Sequence, residues 1–214
     1  ENKPHIVMII PRGEAVRNFL YSDTLPILAK NAKITLLTII DDENFLSKFK
    51  PFTYQIIHLK NYKENILLSY LRGIIQEAHF RWLWSGVAKN HWEKRKFCAK
   101  TMIAKLKWNF LKTISFILAQ QRILEILTIL ENKLTWFLRP NNDFIELFNN
   151  IKPDLIFNTS HVHGPAADLP IKIAYKMGIP TVGFIFSWDN LTSRSRILAP
   201  YDYYFVWNKD MHDK

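Results

Sequence analysis

Residues 153–164 read Pro153-Asp154-Leu155-Ile156-Phe157-Asn158-Thr159-Ser160-His161-Val162-His163-Gly164. A helical stretch to Met177-Gly178 follows, and then Ile179-Pro180-Thr181-Val182-Gly183-Phe184-Ile185-Phe186-Ser187-Trp188-Asp189-Asn190-Leu191-Thr192-Ser193. A short apolar run that opens into a polar loop thus occurs twice, with one helix between. Strand, loop, helix, strand, loop is the order of a parallel α/β sheet. Ligands of such sheets bind beyond the carboxyl ends of the strands. Both polar loops lie at such ends, which makes them candidate sites without naming a chemistry.

Upstream the same alternation holds. His5 to Ile10 is a near-continuous apolar run, followed by the turn Pro11-Arg12-Gly13-Glu14. A helical region extends to about Asn31. Pro26 within it, after Ser22, Asp23 and Thr24, predicts a kink or two short helices. Lys33–Ile40 and Thr53–Leu59 read as strands, with a short helix between them capped by Asp41-Asp42. The fold class is therefore α/β, a doubly wound parallel sheet. From about Lys63 to Phe148 helix signals dominate, more than one crossover needs. The expected organisation is a Rossmann-like domain over 1–62 and 150–214, interrupted by a helical insertion over 63–149. In Ile103, Leu106, Phe110, Ile114, Ile117 and Leu118 the apolar spacing is helical, with Lys105, Asn109, Lys112 and Ser115 elsewhere on the wheel. Asp202–Trp207 is a last short strand. The start of a helix after it suggests a piece of a longer protein.

The net charge of +10 is unevenly placed. Residues 81–139 hold 12 Lys or Arg against 3 acids, and five of the seven tryptophans: Trp82, Trp84, Trp92, Trp108 and Trp136. Nucleic acid is disfavoured, because the aromatics alternate with long aliphatic residues and no nucleic-acid module pattern appears. An anionic membrane surface fits better, since Trp prefers the headgroup zone and each Lys or Arg near it contributes about 1 kcal/mol. An ordinary helical subdomain with a solvated basic face is the plainer reading. The single cysteine, Cys98, excludes an internal disulfide. No run of about 18 apolar residues predicts a spanning helix.

The first turn has one glycine where a dinucleotide-binding loop needs three, so NAD or ATP binding through it is disfavoured. Arg12, Gly13 and Glu14 are either a solvated turn or a substrate contact. His161 and His163 point to one side if their loop is extended. Either suits a general base, because an imidazole titrates near neutrality. A metal needs further ligands, and none lies at metal-site spacing. Asp189 is a base, a partner orienting a histidine, or a helix cap. Ser187, Asn190, Thr192 and Ser193 are hydroxyl-binding groups, Trp188 offers a face on which a sugar ring stacks, and Gly164 closes the first loop. The catalytic expectation is that the imidazoles near 161 and the carboxylate at 189 converge on one crevice.

The chain resembles the amino-terminal half of GT-B glycosyltransferases, in particular those that build surface polysaccharides and glycolipids. The matching parts are His5 to Glu14, Val16-Arg17-Asn18-Phe19-Leu20, Lys152-Pro153-Asp154-Leu155-Ile156, and Ala174-Tyr175-Lys176-Met177-Gly178-Ile179-Pro180-Thr181-Val182. The resemblance implies an acceptor-binding half that supplies the general base (Asp189, His161 or His163). Arg12, Gly13, Glu14, Gly164, Ser187, Trp188, Asn190, Thr192 and Ser193 would line its cleft. It further implies a nucleotide-sugar donor held by a second domain, no metal or other cofactor, and a glycan or lipid-linked acceptor. The location that follows is cytoplasmic, peripheral at the inner face of the cell membrane. The sequence departs from the better-known members in its glycine-poor first turn and long helical insert. A nucleotide-sugar 2-epimerase and a non-catalytic membrane-attached binding domain are the alternatives.

Overall fold

The computed structural model describes residues 3–60, 62, 64–139, 141–160, 165–187, 189–194 and 196–212. The chain divides into two compact units, one of residues 1–63, 140–188 and 199–214, the other of 64–139 and 189–198. Six strands are present among the described residues: β1 His5–Ile10, β2 Lys33–Thr38, β3 Gln55–His58, β4 Leu155–Asn158, β5 Thr181–Phe184 and β6 Tyr203–Phe205. The helices begin with α1 Gly13–Ala15, α2 Thr24–Asn31 and α3 Glu43–Ser47, followed by α4 Ile66–Leu83, α5 Gly86–Cys98, α6 Met102–Leu118 and α7 Gln121–Leu138. They end with α8 Asn142–Ile151, α9 Pro165–Lys176, α10 Asn190–Ser193 and α11 Lys209–His212.

The first unit is built on a wholly parallel sheet in the order β3-β2-β1-β4-β5-β6. The strand order reverses between β1 and β4, which is the switch point of a Rossmann-like sheet. The doubly wound α/β class read from the alternation is thus the observed one. Val7 and Ile9 alternate with Met8 and Ile10 along β1, and all four are fully buried. A central parallel strand is covered on both faces, which is why its sequence is apolar throughout. Met8 and Ile10 pack with Phe19, Leu20, Leu25, Leu36 and Phe157. The helical region after β1 is broken in two. α1 runs into a π-helical turn, Val16–Leu20, and α2 starts afresh with Pro26 in its first turn, where no intrahelical N–H is needed. The helix α8, expected inside the helical insertion, falls in the unit that holds the sheet.

Two aspartates set the strand register by the same device. Asp154, just before β4, accepts the backbone N–H of His5, the first residue of β1, at 2.7 Å. Asp202, just before β6, accepts the backbone N–H of Thr181, the first residue of β5, at 2.8 Å, and its hydroxyl at 2.9 Å. The Pro153-Asp154 pair of the sequence is therefore a strand anchor. Gly178 ends α9 at φ +74, and the Ile179 N–H returns to the Ala174 carbonyl at 3.0 Å. A left-handed helix stop of this kind favours glycine. At Gly183 in β5 the need is for space. A Cβ there would meet the Tyr201 ring at 3.1 Å, and the Tyr201 hydroxyl is held by Asn158 Nδ2 at 2.7 Å. Gly183→Val is expected to cost about 1–3 kcal/mol of stability through overpacking. Chemical denaturation reads this, and an unchanged midpoint would contradict it.

The second unit consists of α4 to α7 with α10. Asn65, Ser85 and Thr101 cap α4, α5 and α6 by accepting backbone N–H groups of Leu67, Ala88 and Ala104. Phe80, Ala88, Trp92, Ala99 and Trp108 form one small core, with Trp92 and Trp108 edge to face at 5.4 Å. Ile75, Ala78 and Leu124 form another. Two of the five tryptophans read as headgroup-seeking are thus core residues. The helical spacing of α6 is real, but most of its apolar stripe does not face the core: Leu118 packs against the second small core and Ile114 is half-buried, whereas the other four point outward. Ile103, Leu106, Phe110 and Ile117 are 67%, 61%, 63% and 63% exposed. The face that packs carries Ala104, Trp108 and Ser115. On the wheel the two faces are well over a quarter-turn apart. In α7 Ile126, Ile129 and Phe137 also face outward, while Leu124, Glu131 and Thr135 face inward.

A buried ion pair and a buried imidazole lie inside this unit. Glu131 is fully buried and accepts from Arg72 Nε at 2.7 Å and from Thr135 at 2.9 Å. His79 is buried against Trp82, and burial, with the charge of Arg196, pushes its imidazole down to about 4. The unfolded imidazole, at 6.5, takes up a proton that the folded one refuses. The stabilisation is therefore complete above pH 6.5 and is lost as pH falls toward 4. The loss amounts to about 3 kcal/mol. Urea midpoints measured from pH 7.5 to 4 should show this slope in the natural protein and not in His79→Leu; equal slopes would contradict it.

Candidate functional site

The carboxyl ends of β1 and β4 flank the switch point. After β1, Arg12 Nε approaches Glu14 Oε2 at 3.6 Å, and both side chains are partly exposed. Gly13 opens a helix of three residues, and a Cβ on it would meet nothing within 4 Å. After β4, Thr159 is tied back to β1: its N–H and its hydroxyl both donate to the Ile9 carbonyl, at 3.2 and 2.6 Å. Asn158 accepts the Ser160 N–H at 3.1 Å. The buried Ser160 hydroxyl has no hydrogen-bond partner among the described residues. It is the last described residue before the loop read as catalytic. His161, His163, Gly164 and Trp188, named in the expected convergence on Asp189, lie outside the described residues.

Asp189, Asn190, Thr192 and Ser193 belong to the helical unit, whereas Arg12, Gly13, Glu14 and Ser187 belong to the unit with the sheet. Ser187 is half-buried. Asp189 precedes α10. Its side chain accepts from Ser193 Oγ at 2.9 Å, and its carbonyl accepts from Thr192 Oγ1 at 3.0 Å. The Thr192 carbonyl accepts from Ser85 Oγ at 2.9 Å, the same hydroxyl that caps α5. Asn190 is buried, and its Nδ2 has no partner among the described residues. The polar cluster read as hydroxyl-binding thus makes local structure through several of its groups.

A second constellation on the carboxyl rim was not singled out from the sequence. Asp41 and Asp42 follow β2 and divide their roles. Asp42 caps α3 by accepting the Phe45 N–H at 3.0 Å. Asp41 instead takes His58 Nδ1 at 2.9 Å, His58 being the last residue of β3. A neutral imidazole that gives its Nδ1–H to a carboxylate presents Nε2 as a proton acceptor. His58 lines two cavities. One, about 300 Å³, is bounded by Thr38, Asp41, Glu43, Lys50 and Ile56. The other, about 320 Å³, is bounded by Leu37, Ile57, Lys60, Tyr62, Asp143 and Glu146. In the second, the Tyr62 hydroxyl at 2.7 Å and Lys60 at 3.2 Å hold the Asp143 carboxyl below its usual range. Carboxylates, a lysine and an imidazole around an apolar floor are the groups that bind hydroxyl-rich ligands. The signal in the sequence was the polar end of each strand. Which of two adjacent aspartates meets the histidine depends on a register that only the fold supplies.

Among the described residues no three His, Cys, Asp or Glu side chains come together as a metal set. No single helix among them is long and apolar enough to cross a membrane. The α6 and α7 pair passes by length and composition together, bent by 112° at its break. The Rossmann-like sheet is compatible with one half of a GT-B enzyme. No family model, no curated protein and no solved structure matches the chain.

Proposed function

We propose that this chain is the acceptor-binding half of a glycosyltransferase that takes a glycan or lipid-linked acceptor at an anionic membrane surface. The observation that carries the reading is the outward apolar stripe of α6, Ile103, Leu106, Phe110 and Ile117, set in a segment rich in Lys and Arg. An apolar face bordered by cations is the pattern of a helix lying in the headgroup plane. The Rossmann-like sheet supplies the other half, a carboxyl rim with two cavities meeting at His58. The donor is a nucleotide sugar held by a second domain, and no metal is required.

In the reaction the acceptor hydroxyl attacks the anomeric carbon. The bond from that carbon to the donor phosphate breaks, the nucleotide leaves with the electron pair, and the hydroxyl proton passes to a base. Asp41 orients His58 for that role, with His161, His163 and Asp189 as the other candidates. The natural gene product, given labelled nucleotide sugars and membrane lipid, should transfer sugar to lipid or glycan. His58→Ala should lower kcat about 100-fold or more. Interconversion of nucleotide sugars without an acceptor would favour the epimerase. Vesicle binding with no chemistry would favour a binding domain.

A further inference from the structure

We propose that the helical unit carries a lipid-headgroup site among α4, α5 and α6, and that its ligand is a phosphodiester bearing a primary ammonium, as in phosphoethanolamine. The site is a cavity of about 230 Å³ lined by Ser69, Tyr70, Gly73, Glu77, Arg95 and Leu111. Glu77 is 1% exposed. Its Oε1 meets Arg95 at 3.1 Å and His91 Nε2 at 3.2 Å. Its Oε2 has no hydrogen-bond partner among the described residues. A buried carboxylate oxygen normally accepts at least one hydrogen bond, and here the missing donor is one a ligand would bring.

Gly73 is the second observation. It stands one turn before Glu77 inside an 18-residue helix, where glycine is unfavourable. A Cβ there would meet nothing within 4 Å, so neither packing nor backbone geometry demands the glycine. What it provides is room beside Glu77. The charges give the order of the ligand. Glu77 is enclosed while the Arg95 side chain is about half exposed, so an ammonium goes inward and a phosphate outward. Arg95 gives one N–H to Glu77 and keeps further donors for phosphate oxygens. A trimethylammonium has no N–H for Oε2, which excludes choline. Tyr70, which lines the cavity, and Phe110, beside Leu111, are both largely exposed, and acyl chains would lie against them.

The inference rests on the membrane reading of this unit, and its test separates the two. The purified chain is mixed with vesicles of phosphatidylethanolamine or phosphatidylcholine, each with the same fraction of phosphatidylglycerol, and with soluble glycerophosphoethanolamine. About tenfold tighter binding to the ethanolamine vesicles is expected. Gly73→Leu fills the cavity while improving helix propensity, so it should fold, lose that preference and keep its binding to the choline vesicles. Equal binding of the natural chain to both vesicles, or a preference that survives Gly73→Leu, overturns the site and leaves the membrane reading standing. If neither vesicle binds, the soluble headgroup decides. Saturable binding that Gly73→Leu removes upholds the site and sinks the membrane reading; no binding sinks both.

Discussion

Arg72→Ala is expected to destabilise the helical unit by about 3–5 kcal/mol, well above an ordinary substitution. Arg72 holds α4 to α7 through Glu131 at 2.7 Å and also pairs with Glu64 at 2.6 Å. Glu131 is sealed from solvent, and removing the guanidinium takes away a charge that faces its own at 2.7 Å. A buried carboxylate that loses a charged partner costs far more than the pair contributed, because its desolvation is less fully offset. The double variant Arg72→Leu with Glu131→Leu should recover most of the loss, since it removes both charges. Urea unfolding followed by tryptophan fluorescence measures both. A loss under about 1 kcal/mol for the single variant would show that the charge is solvated after all.

Ile103→Ser, Leu106→Ser and Phe110→Ser together are expected to lower affinity for anionic vesicles about 100-fold or more, with little change in folding stability. Burying each of these side chains fully is worth about 1.5–3 kcal/mol. They are already about one-third covered in the chain, so the sum available is about 3 kcal/mol or somewhat more. The same exposure explains why the fold should tolerate the change. Co-sedimentation against vesicles of fixed anionic content reads the affinity. Raising salt should weaken the natural chain's binding further, through its lysines. Unchanged affinity in the triple variant would mean that lipid is met elsewhere or not at all.

The sheet was legible because its strands are short apolar runs bounded by Pro, Gly and Asp, and a parallel sheet buried on both faces writes such runs directly. Asp154 and Gly178 were read as pattern; the structure gives them tasks, anchoring β4 to β1 and stopping α9. The helices of the second unit were legible as helices but not in their orientation. A period of 3.6 marks a stripe without saying whether protein or lipid covers it. In α6 most of that stripe faces out, while Leu118, Trp108 and Ser115 face in. The pairing of His58 with Asp41 was hidden for a different reason. The two lie 17 residues apart and meet only through the β2–β3 register, which sets Thr38 beside His58. The roles expected of His161, His163 and Trp188 concern residues outside those described.

The orientation of α6 against lipid is the most direct test of the account. With Cys98 replaced by serine, single nitroxide labels go to position 110, on the outward apolar stripe, and to position 112, about 200° around the helix. On anionic vesicles, the label at 110 should gain collisions with dissolved oxygen, and the label at 112 should stay accessible to an aqueous relaxation agent. Two labels that both stay in water, or both pass into lipid, would contradict a helix lying in the membrane surface on its Ile103–Leu106–Phe110 face.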